Sequence, residues 1–421
     1  MKIEELRGKL KNIKHFFISI REVIKHGYPA KKMTVIGVTG TDGKTTTCHL
    51  IYEILRTAGK RVALISTIGA YFNRQKIDIG LHTTTPDATI LQPLVAKMAK
   101  QGIKYLVLET TSHGLDQHRV LGCNFSIGVL TNVTREHLNY HKTFENYRRA
   151  KAKLFKKVKI AVLNKDDPSF LFFKKNIKPK TKIISYSLKE QANLKLVSAQ
   201  INASGMRFII KSGRKKIRLK TKLIGDYNLA NILAAAGVAR KLGVNWELIQ
   251  EAIAGFTGVL GRMEAIDFGQ PFSVIVDFAH TPNALEKVLR TLRKLKDKNA
   301  RLIVVFGCAG ERDFLKRPIM GKIATELADI SIFTAEDPRH EKVKDIIEQM
   351  VGGANEGKDF HCEPDRQKAI NLAVKLAKPN DVVVICGKGH EKSMAYGDRE
   401  LPWSDQMAAE RALKNFLLIG G

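Results

Sequence analysis

The stretch VIGVTGTDGKTTT, Val35 to Thr47, sets a glycine, a lysine and a run of hydroxyls directly after an apolar run. Those residue types suit the holding of phosphates. Backbone N–H groups of a glycine-rich turn wrap the oxygens, a lysine bridges the β- and γ-phosphates, and a threonine hydroxyl ligates Mg2+. Gly43, Lys44 and Thr45 fill the end of the pattern G-x-x-x-x-G-K-[ST], but its first glycine is Val38, with Gly37 and Gly40 on either side. The strict pattern fails at one residue while its context holds: a strand before, and after it a helix whose N-terminus favours anions. A nucleoside triphosphate is therefore expected at Gly40, Thr41, Gly43, Lys44, Thr45 and Thr46.

The elements that must hold this loop alternate. Ile3, Leu6, Leu10, Ile13, Phe17, Ile20 and Ile24 recur at spacings of three or four, which predicts a helix over 2–26, broken by Gly27 and Pro29. TVIGVT, RVALIST, KYLVLET, FSIGVLTNV and KIAVLNKDD read as strands, with TTTCHLIYEILRTAG and TTTPDATILQPLVAKMAKQG as helices between them. That rhythm belongs to a parallel sheet with crossover helices. Over 180–222 the runs KIISYSL, MRFIIKSG and KKIRLKTKL predict an antiparallel edge or a small sheet. A helical stretch, GDYNLANILAAAGVARKLG, follows. After Gly258 the strands FSVIVDFAH, ARLIVVFGCAG, DISIFTAE and DVVVICGKG each end in polar or glycine residues, where ligands of open parallel sheets sit. The predicted fold is α/β: a central P-loop ATPase domain with a mainly parallel sheet over 33–223, and a C-terminal Rossmann-like α/β domain over 224–421.

Composition narrows the setting. The chain has 421 residues, 44% of them hydrophobic and 27% charged, the profile of a folded globular protein of two or three domains. The net charge of +30 reads first as a lysine-rich solvated surface, next as attraction of polyanionic small substrates, and last as nucleic-acid binding, since no compact basic block carries interleaved aromatics. Five widely spaced cysteines without a CxxC pair argue against a disulfide framework or zinc site and for a reducing compartment. With no long apolar run, the expected location is the cytoplasm, with no membrane and no nucleic-acid partner.

The variant TGTDGKTTT resembles the loop of the Mur ligase family, which groups with folylpolyglutamate and cyanophycin synthetases as ATP-dependent amide-bond ligases. HTTTPD (82–87), LETTSHGLDQHRV (108–120), TNVTREHLNYHKTFENYRRAKAKLF (131–155), GDYNLANILAAAGVA (225–239), GRMEAIDFGQPFSVIVDFAHTPNAL (261–285), GERDFLKRPIMG (310–321), AEDPRHE (335–341) and GKGHE (387–391) extend the resemblance in order over nearly the whole chain. The member resembled adds the third stem-peptide residue to UDP-N-acetylmuramoyl-L-alanyl-D-glutamate. Such an enzyme uses ATP to phosphorylate a substrate carboxylate, and an amine then displaces phosphate from the acyl phosphate. The resemblance implies two Mg2+ ions; a monomer is expected.

Roles carry over residue by residue. Glu109, after KYLVL, matches a magnesium ligand; the bland reading is a capping glutamate. His137 in TREHLNYH matches a ligand of the second metal beside Asn132, while its neighbour His141 fits less clearly. Lys151 matches the lysine that the family carries as a carbamate, although a lysine on a basic helix would otherwise read as solvated; Lys153 is the near alternative. Together with Lys44 and Arg262 these are the implied catalytic residues. Thr84, Thr85, Thr111, Ser112 and Arg119 match positions that hold the muramoyl-dipeptide. Asn228, Asn231, Arg262, Asp277 and His280, assigned to the second half, match nucleotide contacts, with Arg262 as a clamp on the γ-phosphate. The usual DYAH stands here as DFAH, without the phenol.

For the incoming amino acid the family motif is D-N-P-R where meso-diaminopimelate is added, and here it is EDPR, Glu336, Asp337, Pro338 and Arg339. Arg339 can chelate a distal carboxylate and would repel the ammonium of lysine, so diaminopimelate is favoured. Arg312, Gly387 and Glu391 match the remaining contacts. L-lysine or ornithine stays open, since Glu336 and Asp337 can instead meet a cation. Relatives carry a UDP-binding domain before the loop, whereas only a helix and linker, 1–32, stand there in this sequence; the expectation is that this domain is absent. The rival readings are a folylpolyglutamate- or cyanophycin-type ligase and a non-catalytic nucleotide-binding scaffold.

Overall fold

The computed structural model describes residues 2–73, 75–80, 84–202 and 204–419, which form two compact units divided between Thr257 and Gly258. In the first unit, α1 (Lys2–Lys25), β1 (Thr34–Thr39) and α2 (Lys44–Thr57) are followed by β2 (Val62–Ser66), β3 (Gly69–Phe72), β4 (Gln75–Ile77) and α3 (Ala88–Lys100). Next come β5 (Tyr105–Glu109), α4 (Ser112–Asp116), β6 (Phe125–Leu130), α5 (Leu138–His141), α6 (Phe144–Ala152), β7 (Ile160–Asn164) and α7 (Phe170–Asn176). The unit closes with β8 (Lys182–Ser187), β9 (Leu194–Asn202), β10 (Gly205–Ser212), β11 (Lys215–Thr221), α8 (Tyr227–Lys241) and α9 (Trp246–Gly255).

Its sheet runs β11-β10-β9-β8-β7-β6-β1-β5-β2-β3-β4 among the described residues. The stretch from β2 to β9 is parallel, and the antiparallel pairs lie at the two ends. The segment over 180–222 is thus a continuation of this sheet: β8 is parallel to β7, and only β9 to β11 form an antiparallel meander. The central strand β1 is covered on both faces, which is why TVIGVT reads as a continuous apolar run. The helix expected from Thr83 begins only at Ala88, after Pro86, because the residue before a proline disfavours helical geometry.

The boundary expected at 223 is corrected by α8. Nearly every residue from Asn228 to Ala239 is buried, and α8 touches α2, α9, β7 and β8. A helix apolar on all sides needs cover all round. It completes the core of the first unit, and the division falls after α9.

The second unit comprises β12 (Glu264–Ile266), β13 (Ser273–Asp277), α10 (Pro282–Leu295), β14 (Leu302–Phe306), α11 (Lys316–Leu327), β15 (Ile330–Phe333) and α12 (Val343–Val351). β16 (Asp359–Cys362), α13 (Arg366–Leu376), β17 (Val382–Cys386), the hairpin β18 (Ser393–Tyr396) and β19 (Arg399–Pro402), and α14 (Asp405–Ile419) complete it. The sheet order is β12-β13-β17-β14-β15-β16, parallel except for the edge strand β12. Alternation along the strands sends Val304, Phe306 and Val384 against Leu289, Met320 and Ile347, and Ile303, Val305 and Ile385 against Ile370, Ala409 and Leu413. β17 inserts between β13 and β14, so the chain reverses its direction of travel there and leaves a crevice at the strand C-termini. Arg366, fully buried, grips Asp405 with two bonds of 2.8 Å and also donates to the carbonyls of Ala335 and Cys386. That ion pair fixes the loops leaving β15 and β17. No described helix is long and apolar enough to cross a membrane.

Candidate active site

In the first unit β1 and β5 are neighbours, with Val38 opposite Glu109, so the phosphate loop and Glu109 emerge side by side at the strand C-termini. Thr45, in the first turn of α2, donates to Glu109 Oε1 at 3.0 Å, and the Thr67 N–H donates to Oε2 at 3.0 Å. Glu109 is 1% exposed. A buried carboxylate beside a hydroxyl is a hard oxygen pair of the kind Mg2+ takes. Gly43 has φ 77°, and a Cβ there would stand 2.3 Å from Asn231 Oδ1, so only glycine fits the start of α2. Asn231 also accepts from Thr47 Oγ1 at 3.3 Å and donates to Asn228 Oδ1 at 2.9 Å. Asn228 and Asn231 therefore stand behind the loop in the first unit, and their assignment to the second half is corrected.

Lys44 Nζ donates to the carbonyls of Gly40 at 3.1 Å and Thr41 at 2.6 Å. Lys151 Nζ donates to the same Gly40 carbonyl at 2.7 Å and lies 4.3 Å over the Tyr147 ring. It is 1% exposed; burial first, then the Lys44 charge, hold its amine well below the ordinary lysine range. Tyr147 OH meets Thr41 Oγ1 at 3.0 Å, linking α6 to the loop. Lys153 is elsewhere engaged, 2.6 Å from Asp116. Thr46 is buried in the first turn of α2.

His137 has a left-handed backbone, φ 55°, with its ring 4.8 Å from that of His113 and 6.1 Å from that of Tyr147. His141 Nε2 meets Ser112 Oγ at 3.0 Å, and burial pushes the imidazole down to about 4, so it is neutral near pH 7. Thr84 accepts from Thr67 Oγ1 at 3.0 Å. Thr85 Oγ1 donates to the Glu109 carbonyl at 3.0 Å and accepts from the Thr111 N–H at 2.9 Å. Arg119 donates to the Thr85 carbonyl at 3.1 Å and pairs with Asp87 at 2.9 Å. Thr84, Thr85 and Thr111 thus form one network leading from Glu109, with Ser112 bonded instead to His141; His82 and Thr83 lie outside the described residues.

The second unit gathers the other set at its strand ends. Asp277, ending β13, accepts from the N–H groups of Met263 and Ala279 at 2.8 Å each; burial raises its carboxyl. Arg262 stacks 4.3 Å over Phe278, so the ring that replaces a tyrosine serves as a platform without its hydroxyl. His280 Nδ1 meets the Phe278 carbonyl at 2.9 Å, and Lys316 donates to the His280 carbonyl at 2.6 Å. Asp337 Oδ1 accepts from Lys388 Nζ at 2.7 Å and from the Ala395 N–H at 3.0 Å, and Glu391 pairs with the same ammonium at 2.5 Å. Lys388 is fully buried and held protonated by these carboxylates against the cost of burial. The extra negative charge of EDPR is therefore neutralised within the fold. Glu336 Oε2 is buried without a hydrogen-bond partner among the described residues, and a Cβ on Gly387 would come within 2.5 Å of it. Arg339 donates to the Gly310 carbonyl at 2.7 Å, and its charge, after partial desolvation, lowers the Arg312 guanidinium. Two cations that near each other suit a carboxylate ligand.

Sequence reasoning missed Thr67, Tyr147, Lys316 and Lys388 as members of these sites. Tyr147 stands four residues before Lys151 on one helix, a spacing that brings side chains together, and Lys388 lies between the glycines of GKGHE. Lys316 lies within GERDFLKRPIMG but has no distinguishing spacing there, and nothing in the sequence marks Thr67.

The sequence matches the model of the Mur ligase middle domain over residues 38–239 and that of the Mur ligase glutamate ligase domain over 261–389. A UDP-N-acetylmuramoyl-L-alanyl-D-glutamate--2,6-diaminopimelate ligase of Geobacillus thermodenitrificans is 38% identical over 399 residues, 92% of this chain and 80% of that protein. A UDP-N-acetylmuramyl-tripeptide synthetase of Roseiflexus sp. is 40% identical over 408 residues, with the same coverage. A solved diaminopimelate ligase of the first kind superposes with a TM-score of 0.64 at 34% identity, over 91% of this chain and 79% of that one. The Mycobacterium tuberculosis folylpolyglutamate synthase gives 0.73 at 15% identity, over 88% of this chain and 91% of that one, a likeness of fold alone. With relatives at this identity along nearly its full length, and with the phosphate loop, Glu109 and Lys151 drawn together as described, the chain belongs to the Mur ligase family.

Proposed function

We propose that the protein is a cytoplasmic ATP-dependent ligase that joins meso-diaminopimelate to the D-glutamate carboxylate of UDP-N-acetylmuramoyl-L-alanyl-D-glutamate. The observation that carries this reading is the convergence of Lys44, Thr45, Glu109 and Lys151 on one strand-end crevice, in a chain 38% identical to a diaminopimelate ligase. Gly40, Thr41, Gly43, Lys44, Thr45 and Thr46 hold the ATP phosphates, with Asn228 and Asn231 supporting the loop. Arg262, Asp277 and His280 are the second unit's contribution to the nucleotide. Thr84, Thr85, Thr111, Ser112 and Arg119 hold the muramoyl-dipeptide. The substrate carboxylate takes the γ-phosphoryl group and ADP leaves; the neutral amine of diaminopimelate then attacks the acyl carbon, expelling phosphate as the amide bond forms.

Thr45 and Glu109 suit one Mg2+. Among the described residues no trio of His, Cys, Asp and Glu forms a metal-binding group, so a second ion at His137 needs another anionic ligand. Lys151 can become one. Burial favours the neutral form of its amine, which attacks CO2; the N–C bond forms as a carbonyl electron pair moves to oxygen, and loss of a proton leaves a carbamate. Bound there, the two ions would neutralise charge that builds on the phosphates during transfer.

Diaminopimelate is favoured over lysine by the second unit. Arg312 and Arg339 suit its distal carboxylate, and Asp337 is already engaged by Lys388 and so offers little to a lysine ammonium. Glu336, with its buried oxygen, suits an ammonium of the incoming amino acid. Gly387 leaves room for that carboxylate, and Glu391 holds Lys388. The test is phosphate release from ATP with UDP-muramoyl-dipeptide and either meso-diaminopimelate or L-lysine. Acceleration by diaminopimelate is expected; acceleration by neither would end the ligase reading, and preference for lysine would end only the arginine argument.

A further inference from the structure

A cavity lies in the first unit, away from the phosphate loop. It has a volume of about 300 Å3 and is lined by Lys182, Ile184, Leu194, Ser212, Arg240 and Lys241, among others. Lys182 opens β8 and therefore sits at the N-terminal end of the parallel strands, opposite the strand ends that carry Glu109 and the loop. The helix α8 spans the two places: Asn228 and Asn231 stand behind Gly43, and Arg240 and Lys241 end the helix at the cavity.

Three cations meet here without a carboxylate. Lys182, Arg240 and Lys241 form no ion pair with any described acid. Slight desolvation and then the hydrogen-bonding approach of Lys182 lower the Lys241 ammonium, with the Arg240 charge adding to the effect, although all three cations remain exposed. A helix C-terminus attracts cations, which accounts for Arg240 and Lys241. It does not account for Lys182, which comes from a different element and is set against Lys241 at a cost in repulsion. Arg240 is further held by a 2.7 Å bond to the Val244 carbonyl and lies 5.4 Å over the Trp246 ring. Beneath the charges the floor is apolar, made by Ile184 and Leu194 with Gly237.

We propose that this cavity binds a phosphate-bearing ligand, its phosphate taken by Lys182, Arg240 and Lys241 and an apolar portion resting on Ile184 and Leu194. The lining offers both halves: exposed cations alone hold inorganic phosphate weakly, and the apolar floor adds contact area for an organic ester. The site is separate from the ligase chemistry and stands or falls without it.

The experiment titrates the full chain with inorganic phosphate and with phenyl phosphate, following tryptophan emission, since Arg240 lies over Trp246. Phenyl phosphate is expected to give a saturable change at lower concentration than inorganic phosphate. The response should weaken roughly tenfold in the Lys182→Gln, Lys241→Gln double variant and persist in Lys44→Ala, which disables the phosphate loop. Both lysines are exposed, and an unchanged melting temperature confirms that the double variant folds. Sedimentation with phosphatidylglycerol vesicles separates the two sources of the phosphate. Vesicle binding that the double variant loses assigns it to a lipid headgroup and supports the site. No saturable response to either phosphate and no variant-sensitive vesicle binding overturns the proposal, as does a response that the double variant retains in full.

Discussion

Lys151 and Lys153 lie two positions apart and meet opposite fates: one is buried on the Gly40 carbonyl, the other paired with Asp116 near the surface. The burial lowers the Lys151 ammonium and so favours the neutral amine, the form that CO2 requires, and Lys151→Ala is expected to abolish phosphate release in a way that added bicarbonate does not restore. Wild-type activity should instead fall in CO2-depleted buffer and return with bicarbonate. Residual turnover in the variant above a few per cent of wild type would contradict the carbamate. Glu336 shows the same tension between stability and use. Burial raises its carboxyl above the ordinary glutamate value, so between the unfolded and folded values the folded state holds a proton that the unfolded state has released. The penalty is absent below the unfolded value, grows as pH rises through it, and levels off above the folded one. Glu336→Gln is accordingly expected to stabilise the protein by roughly 1 kcal/mol near pH 7 and by nothing near pH 3, read from melting curves, while raising KM for diaminopimelate. A variant that is stabilised but keeps its KM would remove Glu336 from the binding site.

Among elements, the junction of β1, α2 and α8 matters most. The pattern around Gly43 announces a turn into a helix, and the close approach of Asn231 from α8 explains why no side chain is tolerated there. Gly43→Ala must both hold an L-residue at φ 77° and push Asn231 aside, and is expected to cost at least about 1–2 kcal/mol from the backbone alone. Chemical denaturation measures that loss, and ATP-dependent phosphate release should fail in parallel. An unchanged midpoint would mean that α8 yields easily. The inner parallel strands of both sheets were legible because apolar runs with polar or glycine ends are what a parallel sheet demands, whereas the short strands toward the edges, β3, β4, β12 and β16, carry no such run. β9 was not legible either, since LKLVSAQIN is exposed along most of its length and its Val197, Ala199 and Ile201 face is left unburied. The parallel join of β8 to β7 was also hidden, because pairing partners separated in sequence leave no local trace.

At the scale of the molecule, α8 and α9 belong with the first unit, so a fragment ending at 257 should unfold cooperatively, as followed by circular dichroism, while one ending at 223 should expose apolar surface and bind a hydrophobic dye. Cooperative unfolding of the shorter fragment would return the boundary to 223. The phosphate loop, the strand-end glutamate, the order of motifs and the α/β class were determined by the sequence, because each rests on local residue types and on periodicity that burial imposes. Only the tertiary structure decided that Asn228 and Asn231 support the loop, that Lys388 neutralises Asp337, that Lys151 rather than Lys153 loses its solvent, and that Lys182 meets Lys241. Burial and charge partners are properties of what lies across space, and residues far apart in the chain acquire them only when the sheet and its covering helices bring them together.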